Sequence, residues 1–438
     1  MIENDLKIYK KNTIKSSNLF KKSKKLHVNG VHHNIRFFEP YPFVTKSSKG
    51  KFLTDVDSNK YVDYWMGHWS LILGHSPKNI MNDAKKQIND GWMYGTVNKN
   101  SIELSEKISK AVPVAEKIRY VTTGTEATMY AIRLARTATK RKTIAKIDGG
   151  WHGYTTDLLK TVNWPFHNSE SSGLVDEKYV KSLPYNNLHD SIKILKAVKN
   201  DLAAVIIEPV LGGGGGIPAT KDYLSGIEEF CHRNGSLLIL DEIVTGFRFR
   251  YGCMYETMKL DPDIVTLGKI VGGGLPIGVI TGKNELMNYA NTSIFSKTNR
   301  AYIGGGTFSA NPLTMITGNS TLSTLKNRGA NLYKKLNGFG SETRKMLDKK
   351  FDGEVITTGI GSLFLTHFVT NGDTEIKNAN DAAKCNIKKL HDYHFHMIAN
   401  DNIFFLPGKL GAFSDMHTKS DITNIAKSTD RFLTKFKK

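Results

Sequence analysis

The chain has 438 residues, of which 39% are hydrophobic and 23% are charged, values typical of a globular protein with a buried core. No apolar run approaches the roughly 18 to 20 residues of a membrane-spanning helix, which excludes that class of protein. The net charge of +20 raises the possibility of a nucleic-acid-binding protein. However, the excess is mostly lysine spread along the chain, without the arginine and aromatic residues that base recognition uses.

The three cysteines, Cys231, Cys253 and Cys385, are far apart and form no Cys-x-x-Cys pair. This spacing argues against both a disulfide framework and a metal site. The N-terminal residues lack the apolar core of a secretory signal. We therefore expect a cytoplasmic protein that binds no metal.

The N-terminal quarter of the chain begins with polar, lysine-rich residues 1–30, which we expect to form a flexible basic tail. Residues 51–65 then alternate apolar and polar side chains around an Asp-Ser-Asn turn, a pattern typical of a β-hairpin. Residues 78–112 carry apolar side chains at helical spacing.

Short apolar strands alternate with helical stretches from residue 118 to about residue 282. Nearly continuous apolar strands separated by helices predict an α/β fold, with a largely parallel sheet that is covered on both faces. The predicted strands lie at 117–123, 143–149, 203–210, 236–242, 263–269 and 277–282.

The domain organisation follows from this change of pattern. Residues 76–325 are predicted to form a large domain that contains the sheet. Helical spacing returns at 310–350, and mixed strands and helices follow at 353–438, so we expect a smaller domain over 326–438. Residues 31–75 are predicted to pack with that smaller domain.

Three predicted strands end in a residue that is chemically reactive or charged. Glu208 closes one strand, Asp241 closes the next, and Lys269 closes the third. Each alone could be an ion-pair partner or a helix cap. Because open α/β sheets bind ligands at the carboxyl ends of their strands, three such residues at successive strand ends predict a shared ligand site.

A phosphate site is predicted where the segment 120–136 passes from strand to helix. Gly124 and Thr125 lie at the helix start, where free backbone N–H groups and the helix dipole favour an anion. A lysine amine, a carboxylate and a phosphate site together fit pyridoxal 5′-phosphate. We expect Gly272–Gly274, which follow the lysine, to let the backbone approach this cofactor or its substrate closely.

Several stretches along the chain resemble the class III, fold-type I aminotransferases, and the likeness runs from about residue 35 to the C-terminal region. Within the family, the likeness is greatest to the glutamate-1-semialdehyde 2,1-aminomutase branch. The stretches are TTGTEATMYAIRLAR, GWHGY, IIEPV, LLILDEIVTGFR, DPDIVTLGKIVGGGLPIG and GGGTFSANPLTM.

The resemblance implies a fold, a cofactor and a mode of assembly. The large domain would hold a mostly parallel seven-stranded sheet between helices. A smaller α+β domain would be built from the C-terminal part and the N-terminal segment. Pyridoxal 5′-phosphate would be the cofactor, and the substrate a small molecule with an amino group and an aldehyde or keto group. The protein would be a homodimer with shared active sites, with neither nucleic acid nor membrane as a partner.

The resemblance assigns catalytic roles to three residues. Lys269 would form the Schiff base and afterwards carry a proton between the substrate and the cofactor. Asp241 would pair with the pyridine nitrogen, and Glu208 would lie near the substrate side of the cofactor.

The resemblance also assigns cofactor contacts. Trp151 and Ile243 would pack on opposite faces of the cofactor ring, with His152 next to Trp151 as a further contact. Gly124 and Thr125 would hold the phosphate. The alternative for Trp151 is an ordinary place in the core.

The remaining assignments concern the partner subunit and the substrate. Thr307, in GGGTFS, would reach the phosphate of the neighbouring subunit. Arg36, in NIRFF, would clamp the substrate carboxylate with its guanidinium fork, and Trp69 would line the substrate site. The alternative for Arg36 is an ion pair at the surface or between domains.

Some residues depart from the aminomutase pattern. Gly212-Gly213 replaces a Gly-Asn pair whose asparagine approaches the cofactor, and Tyr154 lies within a changed His-Gly segment. His68 replaces a tryptophan near the substrate, and Lys409, in PGKLGAFSD, replaces a glutamate. These changes affect the substrate side of the site rather than the cofactor side.

The predicted function is therefore transfer of an amino group on a small carboxylate-bearing substrate, most like conversion of glutamate 1-semialdehyde to 5-aminolevulinate. The alternative is a class III transaminase that acts on an amine, a β- or ω-amino acid or an amino sugar, with a separate keto acceptor. The polar segment 161–178 is interpreted either as a lid over the site or as a surface loop.

A hypothesis of a different class is a basic protein that binds nucleic acid or membrane surfaces on a retired enzyme scaffold. The lysines of residues 7–25 motivate it. The intact set of Lys269, Asp241, Thr125 and Thr307 argues against it, because a retired site has no physical reason to keep such an amine.

Overall fold

The computed structural model describes residues 3–166, 171, 177–370 and 375–436, so residues 167–170 and 172–176 of the predicted lid lie outside the described part. The chain divides into two compact units. The first unit comprises Met1–Pro77, Leu336–Glu375 and Ala383–Lys438, and the second comprises Lys78–Lys335 and Ile376–Ala382.

The described residues form strands and helices throughout both units. Strands β1 to β16 are, in chain order, Thr45–Lys49, Phe52–Asp55, Lys60–Asp63, Lys117–Val121, Thr143–Ile147, Val180–Leu183, Leu202–Ile207, Val210–Leu211, Ile217–Pro218, Leu237–Asp241, Ile264–Gly268, Gly278–Gly282, Val355–Thr358, Leu363–Phe368, Ile403–Phe404 and Gly411–Ala412. Helices α1 to α14 are, in chain order, Glu3–Asn12, Ile14–Leu26, Met66–Trp69, Lys78–Asp90, Lys99–Ala111, Gly124–Thr139, Leu188–Val198, Lys221–Arg233, Tyr255–Met258, Asn284–Met287, Pro312–Phe351, Ala379–Lys384, Ile387–Asp401 and Lys419–Phe436.

The second unit is built on a seven-stranded sheet, in the order β4-β12-β11-β10-β7-β5-β6. Neighbouring strands from β11 to β6 are parallel, whereas β12 is antiparallel to both β11 and β4. Every residue of β5, β7, β11 and β12 is buried, as expected for strands covered on both faces. The prediction of a largely parallel α/β sheet is therefore confirmed.

One strand of this sheet, β6, was not predicted from the sequence. It is the edge strand, and its sequence VKSL includes a lysine and a serine that are only partly buried. An edge strand needs no continuous apolar run, so the pattern that identifies the central strands is missing here.

Helix α6 follows β4 and packs one face into the core of the second unit. Its start is fixed by a capping box, in which the Thr123 hydroxyl accepts from the Glu126 N–H and the Glu126 carboxylate accepts from the Thr123 N–H. Ala127, Ala131 and Leu134 are fully buried on its inner face. Capping and packing together hold the first turn of α6 in place.

Two of the glycines that follow Lys269 have a packing role. A Cβ atom on Gly273, whose φ is +62°, would lie 2.5 Å from the carbonyl oxygen of Thr317 in α11. The Thr317 hydroxyl also donates to the Gly272 carbonyl at 2.8 Å. Gly272 and Gly273 therefore allow close packing against α11, and their predicted approach to a ligand stays a prediction.

The first unit contains two small sheets. In one, β2 and β3 are antiparallel neighbours, which confirms the hairpin predicted over 51–65, and β1 and β15 complete the order β1-β2-β3-β15. In the other, the order is β13-β14-β16. No helix among the described residues is both long and apolar enough to cross a membrane.

Helices α1 and α2 occupy most of residues 1–30, so the structure differs here from the flexible tail that the sequence predicted. Tyr9 and Phe20 are buried, with exposed fractions of 1% and 7%. Asp5 is also fully buried, and its carboxylate contacts His396 in α13 and Lys435 in α14. A few buried residues hold these helices against the rest of the first unit, although most residues of α1 and α2 are polar and eight of the 23 are lysines.

Candidate active site

The strand ends that carry Glu208, Asp241 and Lys269 are neighbours in the structure. Strands β7, β10 and β11 lie side by side in the sheet, and the three residues fall at their carboxyl ends. Glu208 and Asp241 are each 4% exposed, whereas Lys269 is only partly buried. Lys269 therefore lies at the carboxyl ends of the strands, where α/β proteins bind ligands.

Asp241 makes hydrogen bonds through both carboxylate oxygens. Its Oδ2 accepts from His152 Nδ1 at 2.8 Å, and its Oδ1 accepts from the Ile243 N–H at 3.1 Å and the Thr266 hydroxyl at 3.2 Å. These partners fix the carboxylate in one orientation.

His152 is buried, and its ring is held between the sheet and helix α6. Burial lowers the pKa of His152, and its Nδ1 donates to Asp241 in the neutral form that this favours. Thr128 in α6 donates to the His152 carbonyl at 2.6 Å. The other ring nitrogen, Nε2, has no hydrogen-bond partner within the described residues, so the ring contributes an unused polar atom beside Asp241.

Glu208 joins two loops at the site. Its Oε1 accepts from the Trp151 N–H at 2.8 Å, and its Oε2 accepts from the Gly212 N–H at 3.0 Å. Burial, together with the nearby charge of Asp241, raises the pKa of Glu208 to about 8. Glu208 therefore fixes the loop of Trp151 against the run of glycines that begins at Gly212.

The amine of Lys269 is shifted towards its neutral form. Burial lowers the pKa of Lys269, although the charges of Asp241 and Glu208 act in the opposite direction. Lys269 also has a φ of +48°, a left-handed conformation that a non-glycine residue rarely adopts. An amine whose pKa is lowered, at a strand end and in a left-handed backbone conformation, is suited to nucleophilic attack on an aldehyde.

Trp151 and Ile243 both have surface available for a ligand. Trp151 is 36% exposed, which excludes the alternative that it is an ordinary core residue, and its ring contacts Tyr154 edge-on. Ile243 is half-buried, and it packs so closely on the start of α6 that a Cβ on Gly124 would lie 2.7 Å from Ile243 Cδ1. The structure therefore places Ile243 beside the predicted phosphate site.

The start of α6 supplies N–H groups for an anion. Within the described residues, no acceptor is recorded for the N–H groups of Gly124 and Thr125, as is usual for the first turn of a helix. The segment before Thr307 lies nearby, because a Cβ on Gly306 would be 3.1 Å from the hydroxyl of Thr122. Thr307 itself is exposed.

Arg36 and Trp69 belong to the first unit. Arg36 ends a short 3-10 helix and is exposed, with no ion pair recorded among the residues that the structure describes. Trp69 is 7% exposed, and its Nε1 donates to the Leu410 carbonyl at 2.7 Å. The ring of the neighbouring His68 lies 5.7 Å from the ring of His33.

The segment that carries Trp69 has an unusual backbone. Met66, Gly67, His68 and Trp69 all have positive φ, and the Trp69 N–H donates to the Trp65 carbonyl, so α3 is one turn of left-handed helix. Left-handed conformation costs roughly 1 to 2 kcal/mol for each non-glycine residue. Such strain persists only where the surrounding contacts hold it, and it is concentrated at functional sites.

Two residues near the site were missed from the sequence. Thr266 is a polar residue within a buried strand, and this was the signal that could have identified it as a partner of Asp241. Arg248 is 1% exposed, and burial lowers its pKa to about 10. Its position at the end of the segment LLILDEIVTGFR does not indicate this burial.

The residues that the structure brings together fit pyridoxal 5′-phosphate. Lys269 offers an accessible amine, Asp241 offers an oriented carboxylate, and the start of α6 offers uncommitted N–H groups. Gly124 provides space at that helix start that a larger residue would fill, since its Cβ would collide with Ile243. The amine thus matches the aldehyde of this cofactor, the carboxylate matches its pyridine nitrogen, and the N–H groups match its phosphate.

The chain belongs to the class III aminotransferase family, whose family model matches residues 37–391. It is a fold-type I enzyme that depends on pyridoxal 5′-phosphate and catalyses aminotransferase or aminomutase chemistry, which confirms these sequence predictions.

Named relatives and solved structures support this assignment. The chain is 36% identical over 403 residues to a glutamate-1-semialdehyde 2,1-aminomutase of Methanococcus maripaludis, covering 90% of this chain and 91% of the relative. An omega-transaminase from Sphaerobacter thermophilus matches with a TM-score of 0.86 and 25% identity, over 96% of this chain and 97% of that one. A glutamate-1-semialdehyde-aminomutase from Pseudomonas aeruginosa PAO1 has the same fold, with a TM-score of 0.87 and 18% identity, over 99% of this chain and 97% of that one.

Proposed function

We propose that the protein converts glutamate 1-semialdehyde to 5-aminolevulinate, as a homodimer in the cytoplasm. The observation that carries this proposal is the 36% identity to an aminomutase of that name over nine-tenths of the chain. The geometry around Lys269, Asp241 and Glu208 supports the amino-transfer chemistry that this reaction needs.

Lys269 is proposed to hold the cofactor and to move protons. Pyridoxal phosphate, when bound, supplies an aldehyde for imine formation and a ring that accepts electrons. The Lys269 amine, whose pKa burial lowers, would bind this aldehyde. When the substrate amine takes its place, the same nitrogen would carry a proton between a carbon of the substrate and a carbon of the cofactor.

Asp241 is proposed to keep the pyridine nitrogen protonated. The hydrogen bonds from His152 and Thr266 hold its carboxylate in place, so it can accept a hydrogen bond in a fixed direction. Trp151 and Ile243 would contact the two faces of the ring, and His152 would orient Asp241. Glu208 would keep the Trp151 loop in position on the substrate side.

The remaining roles concern the phosphate and the substrate. The N–H groups at Gly124 and Thr125 would bind the phosphate together with Thr307 of a second copy of the chain. Arg36 would bind the substrate carboxylate, because its exposed guanidinium has no ion pair with any residue in the described part of the chain and can form a bidentate contact. Trp69 would line the same site from its left-handed turn.

A homodimer is supported by exposed apolar side chains around Thr307. Asn98 donates to the Ala310 carbonyl at 2.8 Å, so the segments around these two residues are neighbours. Exposed large apolar residues on these segments are Trp92 at 64%, Val97 at 83%, Tyr302 at 66% and Phe308 at 62%. Such a concentration of apolar surface marks a protein interface.

A second candidate function is transamination between an amine or amino acid and a separate keto acid. It is supported by the omega-transaminase of similar structure and 25% identity. Gly213, Tyr154 and Lys409, which depart from the aminomutase pattern, also favour it.

One assay separates the two functions. The purified protein with pyridoxamine 5′-phosphate receives glutamate 1-semialdehyde as its sole substrate, and 5-aminolevulinate is measured over many turnovers. The proposal predicts steady product formation without any added amino donor or keto acid. Consumption of about one equivalent of glutamate 1-semialdehyde without 5-aminolevulinate, with further consumption only when an amino donor is added, would contradict it and favour the transaminase.

A further inference from the structure

The second unit contains an open cavity beside the last turn of helix α6. It encloses about 580 Å³, a volume typical of sites for small molecules. One carboxylate, that of Asp157, and five cationic side chains line it, and the cations are Arg133, Arg136, Lys140, Arg141 and Lys142. The lining is therefore strongly positive, and every one of these residues belongs to the second unit.

The cavity is far from the proposed active site. Strands β5, β6 and β7 are parallel, and the active site is proposed at the carboxyl ends of the strands. Lys142 directly precedes β5, and Tyr179, which also lines the cavity, directly precedes β6, so the cavity lies at the amino ends. The 16 residues of α6, a length of about 24 Å, separate it from the predicted phosphate site at Gly124. A ligand in this cavity is therefore distinct from the cofactor and the substrate.

Arg136 is already paired with the carboxylate of the lining. Its Nη1 and Nη2 donate to the two carboxylate oxygens of Asp157 at 3.0 Å and 2.8 Å. Arg136 also lies in the last turn of α6, where the helix dipole favours a cation. Asp157 and the dipole thus account for Arg136, but they do not account for Arg141 and Lys142, which lie beyond the end of the helix.

Arg141 is held at the wall of the cavity by one half of its guanidinium group. Its Nη1 donates to the carbonyls of Leu202 and Asn234 at 3.1 Å and 2.8 Å. No hydrogen bond is recorded between its Nη2 and any residue that the structure describes. The guanidinium is thereby fixed in position, and its second nitrogen can donate to an anion in the cavity.

Lys140 and Lys142 bring two exposed side chains to the same cavity. No ion pair of either amine is recorded within residues 3–166, 171, 177–370 and 375–436. The Lys142 amine lies 5.7 Å from the centre of the Tyr179 ring. Asp201 accepts from the Lys142 N–H at 3.1 Å, but its carboxylate is not part of the lining. Lys140, Arg141 and Lys142 are therefore available to an anion from outside the chain.

We propose that the cavity binds an anion that carries a chain of phosphates, either free polyphosphate or a nucleoside triphosphate. Lysine and arginine both bind phosphate groups, and three available cations in one cavity match a chain of phosphates better than a single charge. Met129 and Tyr179 also line the cavity and offer apolar surface to the rings of a nucleoside. The inference is independent of the proposed function, because none of these residues belongs to the proposed active site.

The test measures binding of tripolyphosphate and of ATP to the holoenzyme by calorimetry, at about 0.15 M salt, where exposed charges are largely screened. Each ligand is expected to bind the wild-type protein at one site per chain. The Lys140→Met/Lys142→Met protein is expected to bind at least tenfold more weakly, because charge-assisted hydrogen bonds are lost. Tighter binding of ATP than of tripolyphosphate identifies a nucleotide site, and equal binding identifies a site for the phosphate chain alone.

The matched control is the Lys221→Met/Lys259→Met protein, which loses the same charge from the same unit. Lys259 is exposed and, like Lys140, follows a helix in left-handed conformation, and Lys221 is exposed at the start of α8. The control should bind both ligands as the wild-type protein does. No binding by the wild-type protein, undiminished binding by the Lys140→Met/Lys142→Met protein, or an equal loss of affinity in both double variants would overturn the proposal.

Discussion

Among single residues, Glu208 carries the clearest electrostatic signature of the site. Its pKa is raised to about 8 by burial and by Asp241, from an ordinary value near 4.5. A carboxyl group whose folded pKa is raised stabilises the folded protein fully below the unfolded pKa. That contribution is lost as the pH rises through the folded value.

This shift predicts the pH dependence of a Glu208→Gln variant. In the cofactor-free protein, the stability of the wild type relative to the variant should fall as the pH rises from about 4.5 to about 8. Thermal unfolding at a series of pH values measures the difference. Glu229→Gln, which changes a glutamate that is 57% exposed, is the control and should show no such trend. A constant difference for Glu208→Gln would refute the assigned environment.

Some residues of the site could be predicted from the sequence, and some of their contacts could not. Glu208, Asp241 and Lys269 could be found because each ends an apolar strand, and strands in a parallel sheet align their ends. The hydrogen bond between His152 and Asp241 could not be found, because it joins residues that lie 89 positions apart. Its existence depends on how β5 and β10 are ordered in the sheet, which no local pattern encodes.

At the scale of secondary-structure elements, the docking of α1 depends on one buried carboxylate. Asp5 accepts hydrogen bonds from His396 Nδ1, Asn400 and Lys435, and these bonds lower its pKa to about 2 although burial acts in the opposite direction. These bonds join helix α1 to helices α13 and α14, which lie at the other end of the chain.

Replacing Asp5 with alanine is predicted to lower the free energy of unfolding by about 3 kcal/mol, because buried His396, Asn400 and the partly buried amine of Lys435 lose their shared acceptor. This penalty should shrink as the pH falls from about 4 towards 2, where the wild-type carboxylate is itself protonated. Lys7→Ala, which removes an exposed pair with Glu3 in the same helix, should leave stability close to that of the wild type. Chemical denaturation measures both variants, and equal stability of the two would contradict this account.

The elements themselves were predictable to different degrees. The central strands and α6 follow from apolar runs and from a capping signal, and both were found. For residues 1–30, which contain helices α1 and α2, the sequence predicts a flexible tail because it is rich in lysine and offers few apolar residues. Their folding depends on three buried residues. Asp5 and Tyr9 contact His396 and Phe395 at the other end of the chain, and Phe20 packs on Phe37 and Tyr41.

For the whole molecule, the proposed phosphate site would be formed by two copies of the chain. Thr307 is exposed and lies in a segment rich in exposed apolar residues. If that segment forms the dimer interface, a charge within it should separate the subunits and weaken cofactor binding together, because the proposed phosphate site needs both copies.

The variant that tests this requirement is Phe308→Asp, since Phe308 is 62% exposed and neighbours Thr307. We expect sedimentation to show a dimer for the wild type and a monomer for the variant, and titration to show at least tenfold weaker binding of pyridoxal phosphate. Ile387→Asp, a change at a residue that is 53% exposed in the first unit, should remain dimeric. A dimeric Phe308→Asp variant with unchanged cofactor affinity would contradict the proposed interface.

The central claim is that Lys269 is the one lysine that binds the cofactor. The most direct measurement is reduction of the holoenzyme with borohydride, which fixes the cofactor to the amine that holds it, followed by peptide mass spectrometry. We predict that the pyridoxyl group is found on Lys269, and that the Lys269→Ala protein carries no pyridoxyl group. A label on another lysine, or an equal yield of label in the Lys269→Ala protein, would contradict the account.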